Sequence, residues 1–177
     1  MSQLKVNSIV PVGGLPSGAK GGIIQIKQNI KTDVSSYEAS TGNFSSNISG
    51  LTETITTQSA NSKVLIILHT NFSCTDGQRT TFRLLRGSTV LSVGDASSNV
   101  MRGLFPSLCN RSNTSQSVPC AMMIIDSPGS AATHTYNVQA NTESSGGTVY
   151  INRTKGNNTD NTYHAGISTI TLMELGG

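Results

Sequence analysis

"KVLIILHTNF" (residues 63–72) is the stretch on which the fold turns. Five large aliphatic residues stand in succession, Val64 to Leu68, with no i, i+3, i+4, i+7 spacing around them, so the segment reads as a strand and not as a helix. A strand with one face on a core and the other in water alternates apolar and polar residues; this one is apolar on both faces. The run Ala121 to Ile125 ("AMMII") has the same property. The outer faces of both strands therefore require cover, either from a loop of the chain or from another copy of it.

Working outward, short β-prone runs recur at regular spacing. Residues 51–57 alternate in part, and "TTFRLLRGSTVLSVGD" (80–95) is a hairpin pattern turning at Arg86, Gly87 and Ser88. "VPCAMMIIDSPGS" (118–130) ends in a Pro-Gly turn, and "THTYNVQAN" (133–141) places His134, Tyr136 and Val138 on one face. "GGTVYINR" (146–153) and "GISTITLMEL" (166–175) complete the series. About nine strands, no helical window and no βαβ alternation predict an all-β fold, a jelly-roll-like antiparallel β-sandwich. If successive strands reverse, the connections 74–78, 94–117 and 142–146 gather at one end of the domain. Those at 58–62, 86–88, 126–131 and 153–165 gather at the other, and an extra strand near Ser35 to Ser40 would exchange the two ends. The connection 94–117 is long enough to be functional or to hold a short strand of its own.

The composition agrees with this reading. The 177 residues are 35% hydrophobic but only 5% aromatic, with no tryptophan, and only 12% are charged. One domain with a thin aliphatic core follows, which is a further reason to expect a homo-oligomer that adds core by association. The net charge of +3 is spread from Lys5 to Lys155 without a basic stripe, so nucleic acid is not an expected partner. No apolar run approaches the length of a signal peptide or a membrane span, so synthesis in a cytoplasm without membrane insertion is expected. Cys74, Cys109 and Cys120 form no C-x-x-C pair, and their odd number predicts reduced thiols rather than a disulfide framework.

Known chemistries leave no motif here. Gly13 and Gly18 have the spacing of a phosphate-binding loop, but Ala19, Lys20 and Gly21 follow where Lys and Ser or Thr would be needed. Ser2 with Lys5 and Ser17 with Lys20 match S-x-x-K only in segments broken by Pro or Gly, where the helical spacing has no meaning. His69, His134 and His164 are isolated, and the nine acids are dispersed, with Asp76, Asp95, Asp126 and Asp160 at turns. No catalytic residue, metal ligand or cofactor is assigned, and no enzyme is expected. The N-x-S/T matches at Asn43, Asn47, Asn71, Asn110, Asn113, Asn152 and Asn157 are what so much Asn, Ser and Thr produces by chance.

Before the sandwich runs "LKVNSIVPVGGLPSGAKGGIIQI" (4–26), glycine-rich and punctuated by proline. Together with "SKVLIILHTNFSC", "RLLRGSTVLSVGD", the "DSPG" turn before "TYNVQ", "GTVYINR" and the closing "STITLMELGG", it resembles the structural and tail-fibre proteins of bacteriophages, in particular phages of cyanobacteria. The resemblance runs over nearly the whole chain. It implies a virion component: an extended N-terminal attachment arm over residues 1–22 and, over 23–177, a β-sandwich similar to the trimeric jelly rolls of fibre tips. Val6, Ile9, Val10 and Val12 are the apolar anchors expected of such an arm, adding to a neighbouring virion protein of tail or capsid. Arg102, Phe105, Asn110 and Arg111 in the longest connection are the candidate contacts to a host glycan or protein. A receptor-binding tail fibre and a capsid decoration protein or head fibre fit equally; a glycan-cleaving tailspike does not, for want of β-helical repeats.

Overall fold

The computed structural model describes residues 22–39, 43–75, 78–91, 94–96, 98, 102–108, 116–143, 146–156 and 164–177; of 105–108 it describes the backbone alone. Eleven strands and no helix occur among them. They are β1 (Ile23–Lys31), β2 (Ser35–Ala39), β3 (Thr52–Thr56), β4 (Lys63–Cys74), β5 (Arg79–Arg86), β6 (Thr89–Leu91), β7 (Phe105–Leu108), β8 (Val118–Asp126), β9 (Thr133–Thr142), β10 (Gly147–Ile151) and β11 (Ser168–Leu175). All pairings are antiparallel, in a sheet of six strands and a sheet of five. The all-β sandwich expected from the sequence is the fold observed.

The twelve residues of β4 organise the first sheet. Val64 to Phe72 pair with β8 along one edge. On the opposite edge β11 pairs with residues 63–69 and β10 with 72–74, so β10 and β11 lie end to end and run in the same direction. Outside them β1 pairs with β11 and β2 with β10, again end to end. The six segments thus form a layer four strands wide: β1 with β2, β11 with β10, β4, and β8. The second sheet behaves alike. One edge of β5 takes β9, while the other takes β6 and then β7, and β3 flanks β9.

This geometry corrects one expectation. The connection 153–165 does not join strands that reverse at an end of the domain, because the strands on either side of it, β10 and β11, share a direction along one edge of β4. The long connection 31–50 contains β2, and 94–117 contains β7. The hairpin between β5 and β6 turns at Gly87 and Ser88, with Gly87 at φ 57°, where a side chain would be strained.

Strand parity sets the core. Val64, Ile66, Leu68 and Phe72 of β4 are buried against Phe82 and Leu84 of β5 and Tyr136, Val138 and Ala140 of β9. Phe72 meets Phe82 edge-on across the two sheets, ring centroids 4.8 Å apart. Polar ties close both flanks. On one, Asp126 Oδ2 accepts hydrogen bonds from Arg86 Nη1 (2.6 Å) and the Tyr136 hydroxyl (2.8 Å). Burial, reinforced by the Asp126 carboxylate, pushes the Tyr136 hydroxyl well above the usual tyrosine range, so it stays a donor. On the other flank the fully buried Glu174 accepts from Gln25 Nε2 and from the Gln58 backbone N–H, both at 2.6 Å.

Where the end-to-end strands break, one residue repairs both gaps. Asn152 is fully buried and sits at φ 61°. Its side-chain amide donates to the carbonyls of Lys31 (2.7 Å) and Asp33 (3.0 Å) at the β1–β2 junction. Its Oδ1 accepts from the Ser168 hydroxyl at the start of β11 (2.6 Å), and its backbone N–H donates to Asn71 of β4 (2.7 Å). The Lys31 carbonyl is fully buried, and leaving such a group without a partner costs about 1–3 kcal/mol; the Ser168 hydroxyl keeps one other bond, accepting from the Asn71 N–H at 3.0 Å. Asn152→Ala should therefore lower the unfolding free energy by about 2–4 kcal/mol, and Asn152→Gly by about 1 kcal/mol less, since glycine removes the left-handed backbone cost but not the lost bonds. Urea titration of the three proteins checks the order.

Candidate functional site: an apolar outer sheet face

The second side of β4 is the exceptional surface of the domain. In antiparallel pairing, residues directly opposite share a face, so the registers define rows across the four-strand layer. One row runs Ile26, Met173, Leu65, Ile125; the next Gln28, Thr171, Ile67, Met123; the next Ile30, Thr169, His69, Ala121. All point away from the core. Leu65, Ile67 and His69 are half-buried by their neighbours, but the flanking strands are open: Ile26 is 54% exposed, Ile30 51%, Met123 66% and Ile125 57%.

The rows form one continuous field bounded by charge. Lys63 stands at one end, opposite Leu175. At the other, Tyr150 carries the Arg153 guanidinium 4.6 Å above its ring, where the connection after β10 begins. Four strands at about 4.8 Å and three rows about 6.6 Å apart give roughly 19 by 20 Å, about 380 Å² in projection; eight of the twelve side chains are apolar, and in the middle row Gln28 Nε2 donates to the Thr171 hydroxyl at 2.8 Å. Among the described residues nothing lies over it. A field of this size falls within the roughly 300–600 Å² of the largest apolar patch on a typical monomer, which is often a functional surface.

The second sheet turns the opposite character outward. Thr54 and Thr135 hydroxyls bond at 3.2 Å, Thr56 and Thr133 at 2.9 Å, and Thr52 donates to Asn137 at 3.1 Å. Further along, Arg83 Nε donates to Gln139 (2.8 Å), whose amide donates to Asn47 (2.8 Å), while the guanidinium lies 4.0 Å from the centre of the Phe44 ring. That face is satisfied and suits water.

The residues singled out from sequence fall elsewhere. Val6, Ile9, Val10, Val12, Asn110 and Arg111 lie outside the described residues, as does Cys109. Arg102 is exposed, and Phe105 opens β7 opposite Phe82. Leu104 packs against the core and donates its N–H to Phe82 O (2.8 Å). Cys74 is buried with its thiol 3.3 Å from Gln78 O, and Cys120 lies half-buried on the inner side of β8. Among the described residues no three of His, Cys, Asp and Glu converge as metal ligands would. The sequence signal for the outer face was the double apolarity of 64–68 and 121–125; Ile26, Ile30 and Met173 join it only through the registers.

Comparison with protein-family models and with curated proteins gives no match for this chain.

If the two faces of β4 differ as described, substitutions on them differ in cost. Replacing Met123 and Ile125 together by Thr should change the unfolding free energy of the dilute chain by less than about 1 kcal/mol. Leu68→Ala, on the inner face, should cost about 2–5 kcal/mol. Denaturant unfolding at submicromolar concentration separates the two.

Proposed function

We propose that this chain is a structural protein of a bacteriophage virion, a homotrimer carried on the particle by its N-terminal arm. The observation that carries the reading is the open apolar field on the outer side of β1, β11, β4 and β8. An apolar patch of that size is often an interaction surface, and copies of the chain that meet through it remove it from water. The winding supports the same reading. With each end-to-end pair counted once, the layers run first, eighth, third, sixth and second, seventh, fourth, fifth, which is the order of a jelly roll, a frequent fold of capsid and fibre modules. The Thr- and Asn-faced second sheet is then the solvent side of the assembly. The arm, through Val6, Ile9, Val10 and Val12, engages tail or capsid, and the segment around Arg102, Phe105, Asn110 and Arg111 is the candidate contact to the host surface.

Two measurements test the reading. Light scattering of the purified protein should give three times 18.5 kDa, and labelled antibody should find it on intact particles by electron microscopy, on the tail for a receptor-binding fibre or on the shell for a decoration protein. A chain that stays monomeric at micromolar concentration, or that is absent from particles, overturns it.

The arm has its own test. Deleting residues 1–20 should leave the cooperative thermal transition of the sandwich nearly unchanged and abolish incorporation into virions. Particles that still carry the truncated protein would remove the arm as anchor.

A further inference from the structure

The width of the apolar field decides how copies can meet. Three flat faces closing around an axis form a triangular prism. For faces about 19 Å wide the distance from each sheet plane to the axis is about 5.5 Å, and side chains fill about 5 Å above a sheet, half the roughly 10 Å between packed sheets. Four strands therefore fill such a prism. Three strands would bring the planes to about 4 Å and clash, and six would leave them about 8 Å away around a hollow.

The distribution of exposure fits the same arrangement. In a prism the middle strands face the axis and the flanking strands meet the neighbouring copies at the corners. The most open large apolar side chains of this face are at its flanks, Ile26 and Ile30 on β1 and Met123 and Ile125 on β8. Across the field Ile26 and Ile125 belong to one row, so copies related by a threefold axis bring Ile26 of each beside Ile125 of the next.

His69 then acquires a defined position. It lies on β4, one of the two middle strands, with Thr169 opposite on β11 and Ala121 opposite on β8, and Ile30 at the far end of its row. Among the described residues no carboxylate faces it. Asp126 and Glu174 belong to the inner side, together with Lys27 and Lys31 of β1. The other ionisable groups near the outer field are Lys63 at one end and Tyr150, Arg153 and, on β2, Glu38 beyond the other. A protonated imidazole here would be desolvated with no carboxylate to receive it, close to two copies of itself.

We propose that three chains close their outer sheet faces around a threefold axis, β1 of each against β8 of the next, with the three His69 side chains next to the axis, so that the assembly opens in acid. The proposal rests on the self-association argued above. Histidine is the side chain whose charge ordinarily changes between pH 5 and 8, and if each of three chains must shed a proton to assemble, the three penalties multiply and association is lost steeply as the pH falls through that range.

The experiment uses the full chain. Native mass measurement from pH 8 to pH 5.5 should show trimer giving way to monomer, and His69→Gln should remain trimeric throughout. In parallel, an Ile26→Cys/Ile125→Cys variant, oxidised at pH 8, should form covalent trimers that neither single variant gives. Covalent dimers of that variant, or a trimer that oxidation does not link, would overturn the threefold arrangement. A trimer indifferent to acid, or acid dissociation retained by His69→Gln, would remove His69 from the axis. A monomer at every pH would overturn the self-association itself.

Discussion

A strand that is apolar on both faces has to be covered on both, and β4 is that strand. Its inner side is satisfied within the chain by Phe82, Leu84, Tyr136 and Val138, and its edges by β8 on one side and β11 and β10 on the other. Every element of the first sheet is positioned by reference to it. The cover on the outer side is the one requirement that the described part of the chain does not meet, and the functional reading follows from that deficit. An aliphatic core with few aromatic residues buries less apolar surface per residue than a tryptophan-rich one, so the proposed association through the outer field would also add to stability, at about 25 cal/mol per Å² removed from water.

The length of β4 brings a second constraint. A twelve-residue strand spans about 40 Å, more than one ordinary partner covers, so its far edge is shared by two short strands. A shared edge has a seam, and seams expose backbone groups. Asn152 closes this one from a left-handed backbone position, joining β4, β11 and the β1–β2 junction through four hydrogen bonds. Gly166 helps for a related reason: a Cβ there would run into the Asn71 side-chain amide, which would have to move aside for any other residue. The chain leaves the sheet after Ile151 and re-enters it at Ser168 on the same edge of β4 and in the same direction, with Arg153 and Ala165 bridged between.

The sandwich and most of its strands were legible because period-two patterning and turn residues are local signals. Leu84, Tyr136, Val138 and Ile170 point where alternation puts them. The seam was not legible. Nothing in "YINRTKGNNTD" distinguishes a strand that pauses from a strand that ends, because the direction of the next strand is fixed by pairing with β4, a partner 100 or more residues away. For the same reason Asn152 read as an ordinary sequon asparagine, while its meaning lies in three segments distant in sequence. The outer field was half legible. The runs 64–68 and 121–125 announce it, but Ile26 and Ile30 alternate with polar neighbours and Met173 follows the core residue Leu172, so none of the three declares its face until register sets them in the same rows.

The two outer faces of the sandwich also constrain each other. A protein that buried both would need the Thr52, Thr54 and Thr56 ladder and the Arg83, Gln139 and Asn47 chain to lose water, yet those groups already spend their hydrogen-bonding capacity on one another. Desolvating the Arg83 charge as well would be costly without a carboxylate to receive it. The polar face is therefore suited to remain wet, and the apolar face is the one from which water is readily removed. A sandwich with faces so unequal has a direction, and closed association through one face leaves the other pointing outward on every copy. Loops at the rim between the faces are then the parts of the chain free to vary in what they touch, which is the division between scaffold and contact surface that a particle-bound attachment protein requires.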